Sequence, residues 1–75
     1  MRGFEFAELK AFAAVVERKS FARAAENLGL SPSALSQTIR QLEARIGTRL
    51  LNRTTRSVSP SASGELLYGR IAPLF

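Results

Sequence analysis

The sequence predicts a mainly α-helical domain that carries one short β-hairpin. Apolar residues recur at the i, i+3, i+4, i+7 spacing of amphipathic helices along most of the chain. Serine, proline and glycine separate these segments at positions where helices begin and end. The stretch 50–58 instead places strand-forming residues on either side of a polar, positively charged centre. At 75 residues, the chain can bury one small core but has little room for a deep substrate cleft.

The first two helices are predicted at residues 6–18 and 21–28. The first has an apolar face at helical spacing, formed by Leu9, Phe12, Ala13 and Val16. The second repeats this spacing with Phe21, Ala24, Ala25 and Leu28. Ser20 is expected to cap the second helix, and Gly29 to end it in the left-handed conformation. Leu30 is then expected to enter the core.

The third helix is predicted at residues 32–46, with Ser31 as its N-cap and Pro32 as its first residue. At about 100° per residue, four apolar residues fall within roughly 60° of arc and form a stripe to be buried: Leu35, Ile39, Leu42 and Ile46. The opposite side offers hydroxyls, an amide and a guanidinium, from Ser33, Ser36, Gln37 and Arg40. Such groups hydrogen-bond base edges and phosphate oxygens in a DNA groove. The third helix is therefore predicted to recognise DNA.

A wing and a fourth helix are predicted beyond Gly47, which ends the third helix. The stretch 49–59 fits a two-stranded wing whose polar centre carries Arg53, Thr54, Thr55 and Arg56. Arginines on a wing can lie against phosphates or enter a narrow minor groove. Ser61 is expected to cap a helix at 62–75, on which Leu67, Ile71 and Leu74 share a face. Pro73 is expected to interrupt or bend that helix.

Composition narrows the function classes. The net charge of +5 suits a polyanionic partner. The sequence has no cysteine or histidine, which excludes disulfides, thiolate and imidazole catalysis and the usual zinc ligands, so we expect neither a metal, nor a cofactor, nor an enzyme. The longest apolar run is six residues, Ala11 to Val16, so neither a membrane span nor a signal peptide is expected, and a cytoplasmic location is expected. Residues 1–75 are expected to form a single domain.

The segment from Phe21 through Arg56 resembles the N-terminal DNA-binding domain of LysR-type transcriptional regulators, and the resemblance extends over nearly the whole chain. The residues that carry it are Ala24-Ala25, Ser31 to Ser36, Ile39 to Leu42-Glu43, Gly47 to Leu50-Leu51, Arg53 to Arg56, and Ser61 with Gly64. It implies a bacterial winged helix-turn-helix with a three-helix core, whose third helix enters the major groove of double-stranded DNA and whose wing lies on the backbone and minor groove. It also implies a linker helix that joins an effector domain and pairs two subunits.

The chain departs from the family pattern at three points. Ser31-Pro32-Ser33 replaces the commoner Ser-Gln-Pro, so a glutamine that often contacts bases is absent and Ser33 takes the leading position. The larger ligand-sensing domain is absent from these 75 residues, so a small-molecule effector is expected only for a longer protein. Pro73 shortens the linker helix, and we expect a homodimer through that helix to be weak here.

The predicted contact residues follow from the polar face of the third helix and the basic wing, and from the family resemblance. The predicted DNA contacts are Arg23, Ser31, Pro32, Ser33, Ala34, Ser36, Gln37, Arg40, Arg49, Arg53, Thr54, Thr55 and Arg56. Within this set, Gln37 is suited to adenine, and Arg40 to guanine or a phosphate. Pro32 and Ala34 are suited to packing or to a thymine methyl group. The predicted dimer contacts on the linker helix are Leu66, Leu67, Ile71 and Leu74.

Other function classes stay open on the residues alone. The polar side of the third helix is also compatible with an ordinary solvated face, or with a module that binds an acidic protein partner. An enzyme fragment is disfavoured because Glu26, Glu43 and Tyr68 show no paired arrangement by spacing. A membrane-surface role is disfavoured because the arginines are spread over several elements and do not line one face.

Overall fold

The computed structural model describes the backbone of residues 3–53 and 58–74, and side chains from Phe6 onward within these ranges. The helices in these ranges are α1 (Gly3–Arg18), α2 (Phe21–Leu28), α3 (Pro32–Ile46) and α4 (Ala62–Ile71), followed by a 3-10 turn (Ala72–Leu74). The strands are β1 (Leu51–Arg53) and β2 (Val58–Pro60), which pair antiparallel with Asn52 opposite Ser59. The predicted mainly α fold with a two-stranded wing is confirmed.

Helix α1 lies at the centre of the domain. It packs on α2, α3, α4 and β2, and its side chains Phe12 and Val15 are fully buried. Because neighbours cover it from several directions, the buried arc is wider than the predicted stripe and also includes Ala11. Leu9 and Val16, at the edges of the predicted stripe, are only partly buried. The helix also begins earlier than the predicted residue 6, at Gly3.

Helices α2 and α3 begin and end at the predicted residues. Local hydrogen bonds set these ends. The Ser20 hydroxyl accepts from the Arg23 N–H at the start of α2. Gly29 takes a φ of 73°, and the N–H of Leu30 donates to the Ala25 carbonyl at 2.9 Å, which forms a Schellman ending. The Ser31 hydroxyl then accepts from the Ala34 N–H at 3.1 Å. The turn between the two helices is therefore held by its own backbone and caps.

Two core predictions in this region are wrong. Leu30 is 41% exposed because the Schellman ending uses its backbone N–H while its side chain stays outside the core. Ile46, the last residue of α3, is 45% exposed, whereas the stripe residues nearer the middle of the helix are buried. The rest of the stripe, Leu35, Ile39 and Leu42, is buried as predicted.

An ion pair between a buried carboxylate and an exposed guanidinium joins α1 to the end of α3. Glu8 is 5% exposed, and its Oε2 accepts a hydrogen bond from Nη2 of Arg45 at 3.0 Å. Within the described part of the chain, Oε1 of Glu8 has no hydrogen-bond partner. Removing a carboxylate from water is costly, and this cost offsets part of the attraction between the two charges.

Helix α4 ends at Ile71 and not at the predicted residue 75. Pro73 lacks the N–H that would continue the helical hydrogen bonding, and its ring would clash with the preceding turn. The chain therefore tightens into the 3-10 turn over Ala72–Leu74, as an interruption by Pro73 predicts.

The start of α4 lies against the strand entry at very close range. The Ser61 hydroxyl caps Gly64 at 3.1 Å and donates to the Arg49 carbonyl at 2.7 Å, while the Ser61 N–H donates to the Leu50 carbonyl at 2.9 Å. A Cβ at Gly64 would overlap the Leu50 carbonyl oxygen. Glycine at this position is therefore required by space and not by backbone conformation.

A second contact fastens α4 to α1. The Tyr68 hydroxyl donates to Oε2 of Glu17 at 2.9 Å. The hydrogen bond to the Glu17 carboxylate raises the pKa of Tyr68 above its usual value, with burial and the negative charge adding to the shift. The phenol therefore contributes fully to folding below about pH 10, and this contribution is lost as the pH rises through the raised value.

The Gly64 contact predicts opposite effects for the same substitution at two positions of α4. Gly64→Ala should lower the free energy of unfolding by about 3 kcal/mol, because the methyl group meets rigid backbone. Gly69→Ala should raise it by about 0.5–1 kcal/mol, since nothing beyond the local helix backbone lies within 4 Å of that Cβ and alanine favours the helix. Urea denaturation of both variants measures the difference, and equal effects would contradict the packing argument.

The Tyr68 contact predicts a pKa change that optical titration can follow. Glu17→Gln should return the pKa of Tyr68 toward its ordinary value, because the carboxylate that opposes phenolate formation is gone. Tyr68 is the only tyrosine in the sequence and tryptophan is absent, so the ultraviolet absorbance of tyrosinate reports on this residue alone. Glu26→Gln, at an exposed position of α2, is the control and should leave the titration curve in place.

Candidate nucleic-acid interface

The polar side of α3 is exposed because the opposite side is buried. Ser33, Gln37 and Arg40 are exposed, as are the N-cap Ser31 and the first helical residue, Pro32. The hydroxyls of Ser31 and Ser33 lie 3.4 Å apart at the start of the helix. These groups offer hydrogen-bond donors and acceptors along one rigid helix, which is the arrangement that can read base edges in a groove.

The half-buried members of the predicted contact set lie beside this exposed face. Ala34 and Ser36 are partly covered. Ser36 is not free in the structure, since its Oγ accepts a hydrogen bond from Nη1 of Arg53 at 2.9 Å. The wing and the third helix therefore meet at this hydroxyl.

Arg53 also contacts α2. Its guanidinium lies over the ring of Phe21, with Cζ 4.4 Å from the ring centroid. This distance is within the range of a cation–π interaction. The spacing of apolar residues predicts Phe21 only as a core residue, and the ring does pack against the core. Its contact with Arg53 depends on a residue far along the chain and is not predicted by that spacing.

Glu43 holds the start of the wing against α3. Its Oε2 accepts hydrogen bonds from the N–H groups of Leu50 and Leu51, at 2.8 and 3.2 Å. From the sequence, Glu43 is one of the residues that carry the family resemblance and is weighed as an acid–base candidate, but its contacts with the wing are not predicted. An acidic residue in the last turns of an otherwise basic helix is the one signal that pointed to it.

A shallow groove runs between α3 and the base of the wing. Its lining residues are Arg40, Glu43, Arg49, Leu51 and Arg53. The carboxylate of Glu43 is engaged with backbone N–H groups, whereas guanidinium groups present forked donors that match phosphate oxygens. The groove therefore has the charge and the donors to bind an anionic backbone.

Arg23 lies away from this groove. It is exposed on α2 and lines a separate depression with Arg18, Glu26 and Asn27. Thr54, Thr55 and Arg56, predicted as wing contacts, lie outside the described residues.

The residues predicted for dimer contacts divide into two pairs. Leu66 and Leu74 are 74% and 63% exposed, so both offer apolar surface. Leu67 packs partly against the core, and Ile71 is 5% exposed within it. Because α4 packs on α1, Ile71 faces the domain itself and not solvent.

The described residues include neither a cluster of metal ligands nor a helix that could span a membrane. Among the residues that the structure describes, no group of three or more His, Cys, Asp or Glu side chains is placed to hold a metal ion. Within the same ranges, no helix has the length and apolar character needed to cross a membrane.

The exposed α3, the tight turn before it and the hairpin after it define a winged helix-turn-helix domain. A family model described as "Bacterial regulatory helix-turn-helix protein, lysR family" matches residues 6–65. The chain therefore belongs to the LysR family of bacterial regulatory helix-turn-helix proteins.

Several curated relatives are similar in sequence. The HTH-type transcriptional regulator PgrR of Escherichia coli is 50% identical over 74 residues, which cover 99% of this chain and 25% of PgrR. The HTH-type transcriptional regulator PtxR of Pseudomonas aeruginosa is 56% identical over 61 residues, which cover 81% of this chain and 20% of PtxR. The chain thus spans a quarter or less of the length of these relatives.

Solved structures share the fold. The DNA-binding domain of BenM, in a complex with catB site 1 DNA, superposes with a TM-score of 0.86 at 37% identity, covering 91% of this chain and 76% of that one. Full-length CbnR, complexed with its target DNA, gives a TM-score of 0.86 at 32% identity, covering 92% of this chain and 24% of that one.

The Glu43 contacts predict a measurable stability loss. Glu43→Ala should lower the free energy of unfolding by about 2–3 kcal/mol, because two N–H groups lose a charged acceptor. Glu43→Gln should lose less, since the amide oxygen still accepts. Thermal or urea denaturation measures both, with Glu26→Ala as an exposed control expected to stay within about 0.5 kcal/mol of the parent. Parent-like stability of Glu43→Ala would rule out this role.

Proposed function

We propose that this domain binds double-stranded DNA with sequence preference, in the service of transcription regulation in the bacterial cytoplasm. The observation that carries the proposal is the exposed polar face of α3, with Ser33, Gln37 and Arg40 on it, opposite a buried apolar stripe. The names of the relatives and the DNA complexes of BenM and CbnR support the same function.

The proposed binding mode places α3 in the major groove. Gln37 has the amide geometry for a bidentate contact with adenine, and Ser33 offers a hydroxyl at the leading end of the helix. Arg40 reaches either a guanine or a phosphate. These contacts use side chains of the chain itself, and no cofactor takes part in them.

Phosphate contacts are proposed to come from the arginines around α3. Arg40 and Arg49 line the groove at the base of the wing, and Arg23 is exposed on α2, the helix that crosses the backbone in such motifs. Each neutralised phosphate releases condensed counterions, so this part of the affinity falls as salt rises.

A homodimer is proposed for the longer protein, with Leu66 and Leu74 on its contact surface. Both are exposed leucines on the α4 side of the domain. Two copies would present two third helices to half-sites about one helical turn apart, so the preferred DNA should have approximate two-fold symmetry.

Selection of bound sequences from a random duplex pool tests the proposal. The enriched duplex is then titrated against a scrambled duplex at two salt concentrations. We expect a motif and a specific-to-scrambled ratio that survives the higher salt. Binding that is equal on every duplex and collapses with salt would refute sequence preference and favour a module for an acidic protein partner.

The two kinds of contact predict distinct signatures in matched variants. Gln37→Ala should cost about 1–3 kcal/mol on the selected duplex and relax the preference at one base pair, with an unchanged salt dependence. Arg49→Ala should weaken all duplexes and reduce the slope of log K against log salt by about 0.9. Fluorescence titrations at several salt concentrations measure both, and Arg70→Ala, at an exposed position of α4, is the control. Identical signatures for the two variants would contradict the assignment.

A further inference from the structure

The contact between Arg53 and Ser36 has a chemical consequence for the third helix. The guanidinium of Arg53 lies over the ring of Phe21 and donates Nη1–H to the Ser36 hydroxyl at 2.9 Å. One planar group thus joins β1, α2 and α3 at a position beside the exposed face of α3. Ser36 is half-buried there, and its oxygen has a fixed, charged neighbour.

A hydroxyl that accepts a hydrogen bond from a cation becomes a better donor and a poorer acceptor for its remaining hydrogen bonds. A serine hydroxyl has one O–H donor and two acceptor lone pairs. Arg53 occupies one lone pair, and its positive charge repels any second donor that approaches the oxygen. The same charge polarises the O–H bond, and hydrogen bonds in a chain strengthen one another. Donation by Ser36 is therefore favoured, and acceptance is suppressed.

We propose that Arg53 is a positioning residue that makes Ser36 a hydrogen-bond donor toward DNA, so that Ser36 selects acceptor atoms. This inference rests on the proposed function. The acceptors that fit are purine N7, guanine O6, thymine O4 and a phosphate oxygen, whereas the amino groups of adenine and cytosine are disfavoured. In this positioning role Arg53 acts through Ser36.

Lysine cannot replace arginine in this arrangement. The guanidinium of Arg53 lies over the Phe21 ring and donates an N–H to Ser36 at the same time. An ammonium is a compact charge on a flexible stem and has no such fixed fork. Arg53→Lys therefore keeps the charge but releases the orientation of the Ser36 hydroxyl, which separates positioning from electrostatic attraction.

The test removes acceptors from the selected duplex one at a time. Deazapurines remove N7, aminopurine removes guanine O6, a pyrimidinone analogue removes thymine O4, and methylphosphonates remove a phosphate oxygen. The affinity of the parent chain should fall about fivefold when one particular acceptor near Ser36 is removed. The substitution that causes this loss identifies whether the partner is a base or the backbone. Ser36→Ala should bind more weakly and show no further loss there, while Ser36→Thr keeps the hydroxyl and should keep the loss.

Arg53→Lys gives the decisive comparison. It should keep the salt dependence of the parent, while its loss at that same acceptor shrinks to about twofold or less. Arg70→Lys makes the same change at an exposed position of α4 and should behave as the parent does. Circular dichroism of each variant confirms that the helices are retained.

Three results would overturn the inference while leaving DNA binding in place. The first is that Arg53→Lys loses as much affinity as the parent does when that acceptor is removed. The second is that Ser36→Ala shows the same loss. The third is a parent chain that has sequence preference but loses no affinity when any acceptor within reach of Ser36 is removed. A parent chain that shows no sequence preference on any duplex would instead overturn the proposed function, and this inference with it.

Discussion

The burial of α1 is the constraint on which the rest of the domain depends. Phe12 and Val15 are fully buried in it, and α2, α3, α4 and β2 all pack on this helix. Each such side chain contributes about 1.5–3 kcal/mol when it leaves water. Because the inner side of α3 is drawn into the same core, its polar side must face outward. The candidate interface therefore exists as a consequence of hydrophobic packing on the opposite side of one helix, and the polar residues themselves need not contribute to folding.

Polar contacts determine where the turns and the wing lie, which hydrophobic packing alone does not define. Serine caps at Ser20, Ser31 and Ser61 fix the starts of three helices. Glu43 fixes the entry to β1, and the two strands that follow are each only three residues long. A hairpin of that size has little stability of its own. Its placement therefore depends on a few hydrogen bonds, and this is why Glu43 and Arg53 matter more than their exposure suggests.

The packing of α3 also explains why its polar face is suited to base contacts and the arginines around it to phosphate contacts. Groups on α3 are held by a rigid helix, which suits directional hydrogen bonds to base edges. Arg40 and Arg49 at the groove are long and flexible, and they suit the less directional attraction of phosphates. The link from Arg53 to Ser36 joins the two parts, because a residue of the wing determines how a hydroxyl of the third helix is oriented.

The sequence by itself determined the elements whose causes are local. The bounds of α2 and α3, the serine caps, the left-handed Gly29 and the polar face of α3 all follow from spacing and capping within a few residues. Only the tertiary structure decided which element covers a given side chain. It left Leu30 and Ile46 in solvent, buried Ile71, and brought Arg53 to Phe21. Helical periodicity tells which residues share a face, but the width of the buried arc depends on how many neighbours surround the helix, and contacts between distant segments leave no local pattern.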